Sequence, residues 1–200
     1  MPFPYRLIFI RHGETDWNVA GRLQGQRDVP LNGRGRDQSA NAGRTLRDFY
    51  GADFASVIAD VDFYASPMLR TRETMDIARL AMGLPPQPYE LDDRLKEISF
   101  GQWEGSTWDE LKKRDPAAVK QRNLDRWGFT PPDGESYAEL NDRLAPFLAA
   151  LTGDSVLVSH GGVARVLLAR LGGMATADAP QAEIAQGRLI VFESGECRWV

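Results

Sequence analysis

The chain contains two histidines, His12 and His160, and a glycine follows each of them directly. Imidazole can act near neutral pH as a nucleophile, a proton carrier or a metal ligand. Arg11 precedes the first histidine, and Arg70 lies between the two along the chain. A guanidinium group binds oxyanions through paired donors in a planar fork. Two imidazoles and two guanidiniums that meet in space would therefore form a pocket for a compact dianion, and phosphate fits it best.

Apolar runs precede these residues and predict the strands that position them. Residues 7–10 lead into Arg11 and His12, Asp62–Ala65 leads towards Arg70, and Ser155–Ser159 leads into His160. Continuous apolar runs are typical of strands buried on both faces of a parallel sheet. Ligands bind beyond the carboxyl ends of such strands, so we expect both histidines and both arginines to converge if the strands are neighbours.

The intervening segments predict helices over 36–50, 67–82 and 163–171, with Ser66 as the N-cap of the second helix. A short strand is predicted near residues 88–91, and a closing edge hairpin at 189–192 and 198–200 around Gly195. The alternation predicts an α/β fold, a three-layer sandwich in which a mostly parallel sheet carries helices on both faces.

Residues 101–150 contain two capping boxes, Thr107 with Glu110 and Ser136 with Glu139, which indicate helix starts. We expect this segment to form a helical insertion over the carboxyl ends of the strands. The whole chain, residues 1–200, is expected to form a single domain.

Composition restricts the class of protein. The 24 basic and 28 acidic side chains give a net charge of −4, which argues against a nucleic-acid partner. A single cysteine, Cys197, excludes an internal disulfide framework. The apolar runs are too short to span a membrane and no secretory signal is visible, so a cytoplasmic location without membrane contact is expected.

Two other interpretations compete with an anion pocket. Each histidine could be a satisfied core or surface residue. The two histidines could also bind zinc together with Asp16 or Glu97, although Arg11 beside a ligand would oppose a cation.

The chain also resembles a known family through five motifs that occur in order over residues 5–170. They are Arg11-His12-Gly13-Glu14-Thr15-x-Trp17-Asn18 with the loop Leu23-Gln24-Gly25 to Gly35, Ser66-Pro67-Met68-Leu69-Arg70-Thr71-Arg72-Glu73-Thr74, Leu95-x-Glu97-x-x-Phe100-Gly101-x-Trp103-Glu104-Gly105, Asp133-Gly134-Glu135-Ser136 and Val158-Ser159-His160-Gly161-Gly162. This set resembles the histidine phosphatase superfamily, also called the phosphoglycerate mutase-like family. Met68 and Thr71 depart mildly from its usual leucine and alanine.

The resemblance implies a role for each matching residue. His12 would be the nucleophile that forms a phosphohistidine, and Glu97 would be the general acid and base. Arg11, Arg70 and His160 would hold the phosphoryl oxygens, with His160 acting mainly as an imidazolium donor. The expected phosphate and substrate contacts are Asn18, Gln24, Gly25, Gly161 and Arg22. No metal and no cofactor are implied.

Three outcomes share such a pocket: hydrolysis, transfer of the phosphoryl group as in a mutase, and binding without turnover. Mutases of this family carry a long basic segment after the acid motif, whereas only 62 residues separate Glu97 from His160 here. The form Phe-Gly-x-Trp-Glu-Gly resembles the phosphatase branch. We therefore expect a metal-independent phosphomonoesterase that acts on a small phosphorylated substrate, with a cofactor-dependent phosphoglycerate mutase and a non-catalytic binding module as alternatives.

The remaining residues of interest have structural interpretations. Trp17 is expected to pack, and Glu104 to be structural. The basic residues of the insertion are expected to form a solvated helix face; they are Lys112, Lys113, Arg114, Lys120 and Arg122. A homodimer through an edge strand at 189–192 is considered.

Overall fold

A computed structural model describes residues 3–200 and contains one six-stranded sheet with the order β3-β2-β4-β1-β5-β6. The strands are β1 (Leu7–Arg11), β2 (Asp62–Ala65), β3 (Glu90–Leu91), β4 (Ser155–Ser159), β5 (Leu189–Glu193) and β6 (Glu196–Trp199). The first four run parallel, while β5 and β6 are antiparallel to their neighbours. The predicted α/β class and the mostly parallel sheet are confirmed.

Helices cover both faces of the sheet and complete the predicted three layers. The helices are α1 (Asp16–Val19), α2 (Gly33–Tyr50), α3 (Phe54–Val57), α4 (Leu69–Met82), α5 (Trp108–Arg114), α6 (Pro116–Leu124), α7 (Tyr137–Ala150) and α8 (Gly161–Arg170). Alternate residues of β1 face opposite layers. Ile8 and Ile10 belong to the core under α2 and α4, while Leu7 and Phe9 belong to the core under α7 and α8.

The helical insertion predicted over 101–150 includes fewer residues than expected. The buried side chains of α7 belong to the main core with β1 and β4, so this helix is part of a sheet-covering layer. Residues 100–129 instead pack around a small separate core of Trp103, Leu111 and Val119. The prediction failed for α7 because a capping box marks where a helix begins and does not indicate what it packs against.

Several helix and strand boundaries also differ from the prediction. Helix α2 begins at Gly33, since Asn32 caps it by accepting from the N–H of Gly35 at 2.9 Å. Helix α8 begins at Gly161, directly after His160. The predicted hairpin is present, but β5 lies between β1 and β6 and is not an edge strand. Pairing of a second copy along residues 189–192 is therefore ruled out by β6, which already occupies that side.

Within residues 3–200, no helix is long and apolar enough to cross a bilayer.

Helices α2 and α4 approach closely where Gly43 faces Ala78. A Cβ atom at residue 43 would collide with the carbonyl oxygen of Ala78, which belongs to a rigid helix backbone. The glycine therefore permits the spacing of the layer that carries Arg70.

We predict that Gly43→Ala lowers the free energy of unfolding by about 2 kcal/mol, because the two helices must separate to admit the methyl group. Urea denaturation measures the change. Gly33→Ala is the matched control in the same helix, since a Cβ there meets nothing within 4 Å. Equal stabilities of the two variants would contradict the close approach.

Candidate active site

The pairing of β1 with β4 brings the two histidines together at the carboxyl edge of the sheet. The register aligns Arg11 with Ser159, and the N–H of His12 donates to the carbonyl of Ser159 at 2.9 Å. The ring centroids of His12 and His160 lie 5.3 Å apart, and both side chains are buried. His12 lines a cavity of about 270 Å³, together with Arg11, Arg70 and Glu97.

His12 is held in one orientation by its own backbone. Its Nδ1 lies 2.7 Å from the carbonyl oxygen of Gly13, which can only accept, so Nδ1 carries the proton. Nε2 is then the ring nitrogen with a free lone pair. Burial, with Arg70 and Arg11 near the ring, holds the pKa of His12 well below its ordinary value of 6.5. The imidazole is therefore neutral at neutral pH, as a nucleophile requires.

Arg70 is fully buried, and backbone carbonyls bind its guanidinium. Nη1 donates to the carbonyl of Arg27 at 2.8 Å, and Nη2 donates to that of Gly25 at 2.9 Å. Gly25 has a φ of 50°, and a Cβ there would collide with the carboxylate of Glu104. Burial lowers the pKa of Arg70 to about 10, so the group stays charged at neutral pH. Its Nε has no hydrogen-bond partner within residues 3–200.

Arg11 is arranged in a similar way. Its Nη1 donates to the carbonyl of Ile184 at 2.7 Å, and its buried Nε has no partner in the described chain. Burial lowers the pKa of Arg11 as well. Two buried guanidiniums that keep unpaired N–H donors beside one cavity have the chemistry to bind an anion.

His160 is bound by Ser66, which the sequence analysis assigned to helix capping. That assignment is wrong, because α4 begins at Leu69 and Met68 occupies the N-cap position. The Ser66 hydroxyl lies 2.8 Å from Nε2 of His160, and Nδ1 is a buried atom without a partner among residues 3–200. When the Ser66 hydroxyl donates to Nε2, the ring proton of a neutral His160 lies on Nδ1.

The surroundings of His160 disfavour the imidazolium expected there. Burial, with Arg70, His12 and Arg11 nearby, holds the pKa of His160 well below its ordinary value of 6.5. The ring is therefore neutral at neutral pH. Positive charge in the pocket comes from the guanidiniums.

Glu97 joins the pocket to the start of α8. Its Oε1 accepts from the N–H of Ile98 and from that of Gly162, both at 2.9 Å. Two donors occupy this oxygen, so the other oxygen, Oε2, is the one that can exchange a proton with a bound group. Gly161, the first residue of α8, also lines this cavity, and the N–H of a first helical residue has no partner within its helix.

The other predicted contacts, Asn18, Gln24, Gly25 and Arg22, all line the same cavity. Asn18 Oδ1 accepts from the N–H of Thr15 at 3.1 Å, so its amide nitrogen is the group available to a ligand. Gln24 is buried and its Oε1 has no partner in the part of the chain described. Arg22 forms an ion pair with Glu110 at 3.2 Å, which ties the loop to the insertion.

Two residues predicted to be structural have structural contacts. Glu104 Oε1 accepts from the N–H of Gln26 at 2.9 Å and supports the loop that carries Gly25. The ring of Trp17 packs against Gly105. Among residues 3–200, no three His, Cys, Asp or Glu side chains group in a way that could hold a metal ion.

Sequence reasoning missed a backing segment at residues 182–186. Its carbonyls bind Arg11 through Ile184 and Arg165 through Ala182, the latter at 3.0 Å. Gln186 Nε2 donates to the carbonyl of His12 at 3.3 Å and to Asn18 Oδ1 at 3.1 Å. No periodic or motif signal marks this segment, because its contacts to the arginines use backbone carbonyls and its one side-chain contribution is a single glutamine amide.

Two arginines in the cavity wall were also missed, Arg165 and Arg122. Arg165 lies four residues after Gly161, so helical spacing could have placed it on the same face of α8. Arg122 was included in the solvated basic face. That interpretation is wrong for this residue, because its guanidinium lies over the Trp108 ring at 4.4 Å.

A comparison with protein-family models identifies the family of this chain. Residues 7–200 match the histidine phosphatase superfamily, branch 1. The chain therefore belongs to that superfamily, as the motifs predicted.

Relatives include both mutases and phosphatases. A 2,3-bisphosphoglycerate-dependent phosphoglycerate mutase of Methylobacterium radiotolerans is 31% identical over 93% of this chain and 88% of its own length. A glucosyl-3-phosphoglycerate phosphatase of Mycolicibacterium vanbaalenii is also 31% identical, over 84% of this chain and 75% of its own. The crystal structure of a phosphoglycerate mutase from Thermus thermophilus matches with a TM-score of 0.71 and 31% identity, over 98% and 96% of the two chains.

We predict that both imidazoles stay neutral at about pH 6, where an unperturbed histidine is mostly protonated, because burial and the arginines lower both pKa values. We further predict that Ser66→Ala changes the tautomer of His160 and leaves that of His12 on Nδ1. Nitrogen-15 NMR of the two histidines measures protonation and tautomer directly.

Thr71→Val is the matched control, since it removes a nearby buried hydroxyl whose bonds go to the carbonyls of Ser66 and Met68. A protonated ring at this pH would contradict the electrostatic account. An unchanged His160 tautomer in Ser66→Ala would contradict the role of the hydroxyl.

Proposed function

We propose that the protein is a metal-independent phosphomonoesterase that works through a phosphohistidine on His12. The observation that carries this proposal is the neutral, backbone-anchored ring of His12 between two buried guanidiniums with free donors. The carbonyl of Gly13 leaves Nε2 as the nucleophilic atom. Arg11 and Arg70 are preorganised where negative charge spreads over the phosphoryl oxygens in the transition state.

In the first step, Nε2 attacks phosphorus, the N–P bond forms and the P–O ester bond breaks. The proton on Glu97 Oε2 passes to the leaving oxygen, so the product departs as an alcohol. His160 Nδ1 and the N–H of Gly161 donate to the transferred group. Phosphate recognition is thus separate from recognition of the leaving group.

In the second step, water attacks the phosphohistidine and Glu97 accepts its proton at Oε2. The N–P bond breaks, inorganic phosphate leaves and His12 returns to its neutral form. The carboxyl group therefore acts as acid and then as base, which restores the starting state after each turnover.

Hydrolysis is favoured over transfer to a second hydroxyl because the insertion is short. Residues 100–129 form only a small core of their own beside the cavity. Phosphoglycerate mutase remains the second candidate, since a mutase is among the relatives at 31% identity over 93% of the chain.

We predict that His12→Ala lowers hydrolysis of p-nitrophenyl phosphate by at least about 1,000-fold, because the covalent intermediate cannot form. The assay contains excess EDTA, which should leave the wild-type rate unchanged. Cys197→Ser lies outside the cavity and is the control for effects of substitution and purification. Activity that EDTA removes and the substitution spares would refute the mechanism. Isomerisation of 3-phosphoglycerate with little hydrolysis would favour the mutase.

We predict that Glu97→Gln slows hydrolysis of an alkyl phosphate by about 100-fold or more. The loss should be much smaller for p-nitrophenyl phosphate when phosphoryl transfer to His12 limits the rate, because p-nitrophenolate leaves without a proton. Steady-state and burst kinetics on both substrates measure this. Glu196→Gln, on the exposed edge strand, is the control. Equal losses in the phosphoryl-transfer step would show that Glu97 is not the proton donor to the leaving group.

A further inference from the structure

Glu97 lies in a segment without regular secondary structure. Residues 96–100 belong to no helix or strand, so their backbone lacks the hydrogen bonds that a helix or a sheet supplies. Oε1 of Glu97 accepts from the N–H of Gly162 on α8, but this bond fixes only the side chain. A group that protonates a leaving oxygen must lie within hydrogen-bond distance of it. The acid therefore depends on other contacts that hold the backbone of this segment.

One guanidinium binds the backbone around Glu97. Arg143 of α7 donates from Nη1 to the carbonyl of Arg94 at 2.6 Å and to that of Lys96 at 3.0 Å. Its Nη2 donates to the carbonyl of Glu97 itself at 3.4 Å. The guanidinium presents its donors in a rigid fork, so the carbonyls that it binds keep a fixed arrangement. Arg143 thus joins the segment that bears the carboxyl group to a helix of the main core.

Glu135 fixes the orientation of Arg143. Its Oε1 accepts from Nε at 2.8 Å and its Oε2 accepts from Nη2 at 2.7 Å, which makes a bidentate ion pair. The side chains of Arg143 and Glu135 are only 23% and 15% exposed. The N–H of Glu135 donates to the carbonyl of Ser99 at 2.9 Å, and its Oε2 also accepts from the N–H of Ser99 at 3.4 Å. The pair therefore binds the backbone on both sides of Glu97.

These contacts give a role to the motif at residues 133–136. A Cβ at Gly134 would lie 2.8 Å from the carbonyl oxygen of Ser99, so the glycine permits the close approach of the two segments. Ser136 accepts from an N–H in the first turn of α7 and caps the helix that carries Arg143. The motif thus brings both members of the ion pair to the segment that bears the acid.

Within the described chain, the hydrogen bonds of Arg143 do not reach the phosphate pocket. Backbone carbonyls of other segments orient His12 and Arg70. Burial is the main cause of the lowered pKa of His160, and the charge of Arg143 contributes least. Loss of Arg143 therefore frees the backbone around Glu97 while the nucleophile keeps its supports. A misplacement of about 1 Å in a catalytic group can cost about 100-fold in rate.

We propose that Arg143 and Glu135 form a clamp that holds Glu97 where its Oε2 protonates the leaving oxygen. Neither residue is among those of the described chain that line the cavity, so both act as positioning residues and do not touch the substrate. This inference rests on the proposed function, since it assigns the clamp to the acid of that reaction.

Two leaving groups that differ in their need for a proton test the clamp. Rapid-quench kinetics in single turnovers measures phosphoryl transfer to His12 from an alkyl phosphate and from p-nitrophenyl phosphate. We expect Arg143→Gln to slow transfer from the alkyl phosphate by about 30-fold or more, and from p-nitrophenyl phosphate by less than about 3-fold. When Glu97→Gln is already present, Arg143→Gln should change the alkyl rate by less than about 2-fold, because no acid remains to be positioned.

Arg143→Lys keeps the charge and part of the donor set, and it should recover part of the alkyl rate. Arg170→Gln is the matched control, since this exposed arginine also contacts α7, through Asn141 at 3.0 Å, and should leave both rates unchanged. Thermal melts and the affinity for orthovanadate verify that the variants are folded and that the phosphate pocket is intact. If Arg143→Gln does not fold, Arg143→Lys replaces it and must lose at least about 3-fold more on the alkyl phosphate.

The proposal is overturned if the two losses in Arg143→Gln differ by less than about 10-fold, whether both rates fall together or neither falls. It is also overturned if Arg143→Gln keeps its full effect beside Glu97→Gln. Failure of the proposed function is recognised in Glu97→Gln alone, where equal losses on the two substrates refute proton donation by Glu97 and the clamp with it. A selective loss in Glu97→Gln without one in Arg143→Gln refutes the clamp alone.

Discussion

Two guanidinium groups are buried at the edge of the sheet without a carboxylate ion pair, and much of the site is organised around this fact. Backbone carbonyls bind the terminal nitrogens of Arg11 and Arg70 instead. A carbonyl carries no net charge, so the positive field of both groups remains available inside the cavity. The same field, together with burial, keeps both histidines neutral.

The need to place backbone carbonyls against Arg11 and Arg70 explains the shape of the surrounding loops. Residues 24–27 must turn sharply to direct carbonyls at Arg70, which is why Gly25 takes a positive φ and Glu104 supports the turn from below. Residues 182–186 lie close to the carboxyl end of β1 for the same reason, because the carbonyl of Ile184 binds Arg11. These loops are therefore part of the electrostatic design of the site, although most of their contributing atoms belong to the backbone.

The sequence allowed the central layer and the position of the site to be predicted, because buried parallel strands have continuous apolar runs and polar residues follow them. Residues 7–10 and 156–158 had that pattern, and β2 had a shorter apolar run over residues 63–65. Ser66 was misassigned because a Ser-Pro pair is typical of a helix start, whereas a long-range partner, His160, binds its hydroxyl. Residues 182–186 and the packing of α7 could not be predicted, since neither a carbonyl contact nor a choice of partner layer leaves a local pattern.

The small core of Trp103, Leu111 and Val119 makes residues 100–129 a compact unit with its own interior. The atoms proposed to transfer phosphate lie outside that unit, on β1, α4, α8 and the strand ends. Changes inside the unit can therefore alter the wall that faces the leaving group while the sheet and its histidines keep their geometry. Such an arrangement lets one chemical mechanism diverge towards new substrates by exchange of a single segment, both in evolution and in laboratory recombination.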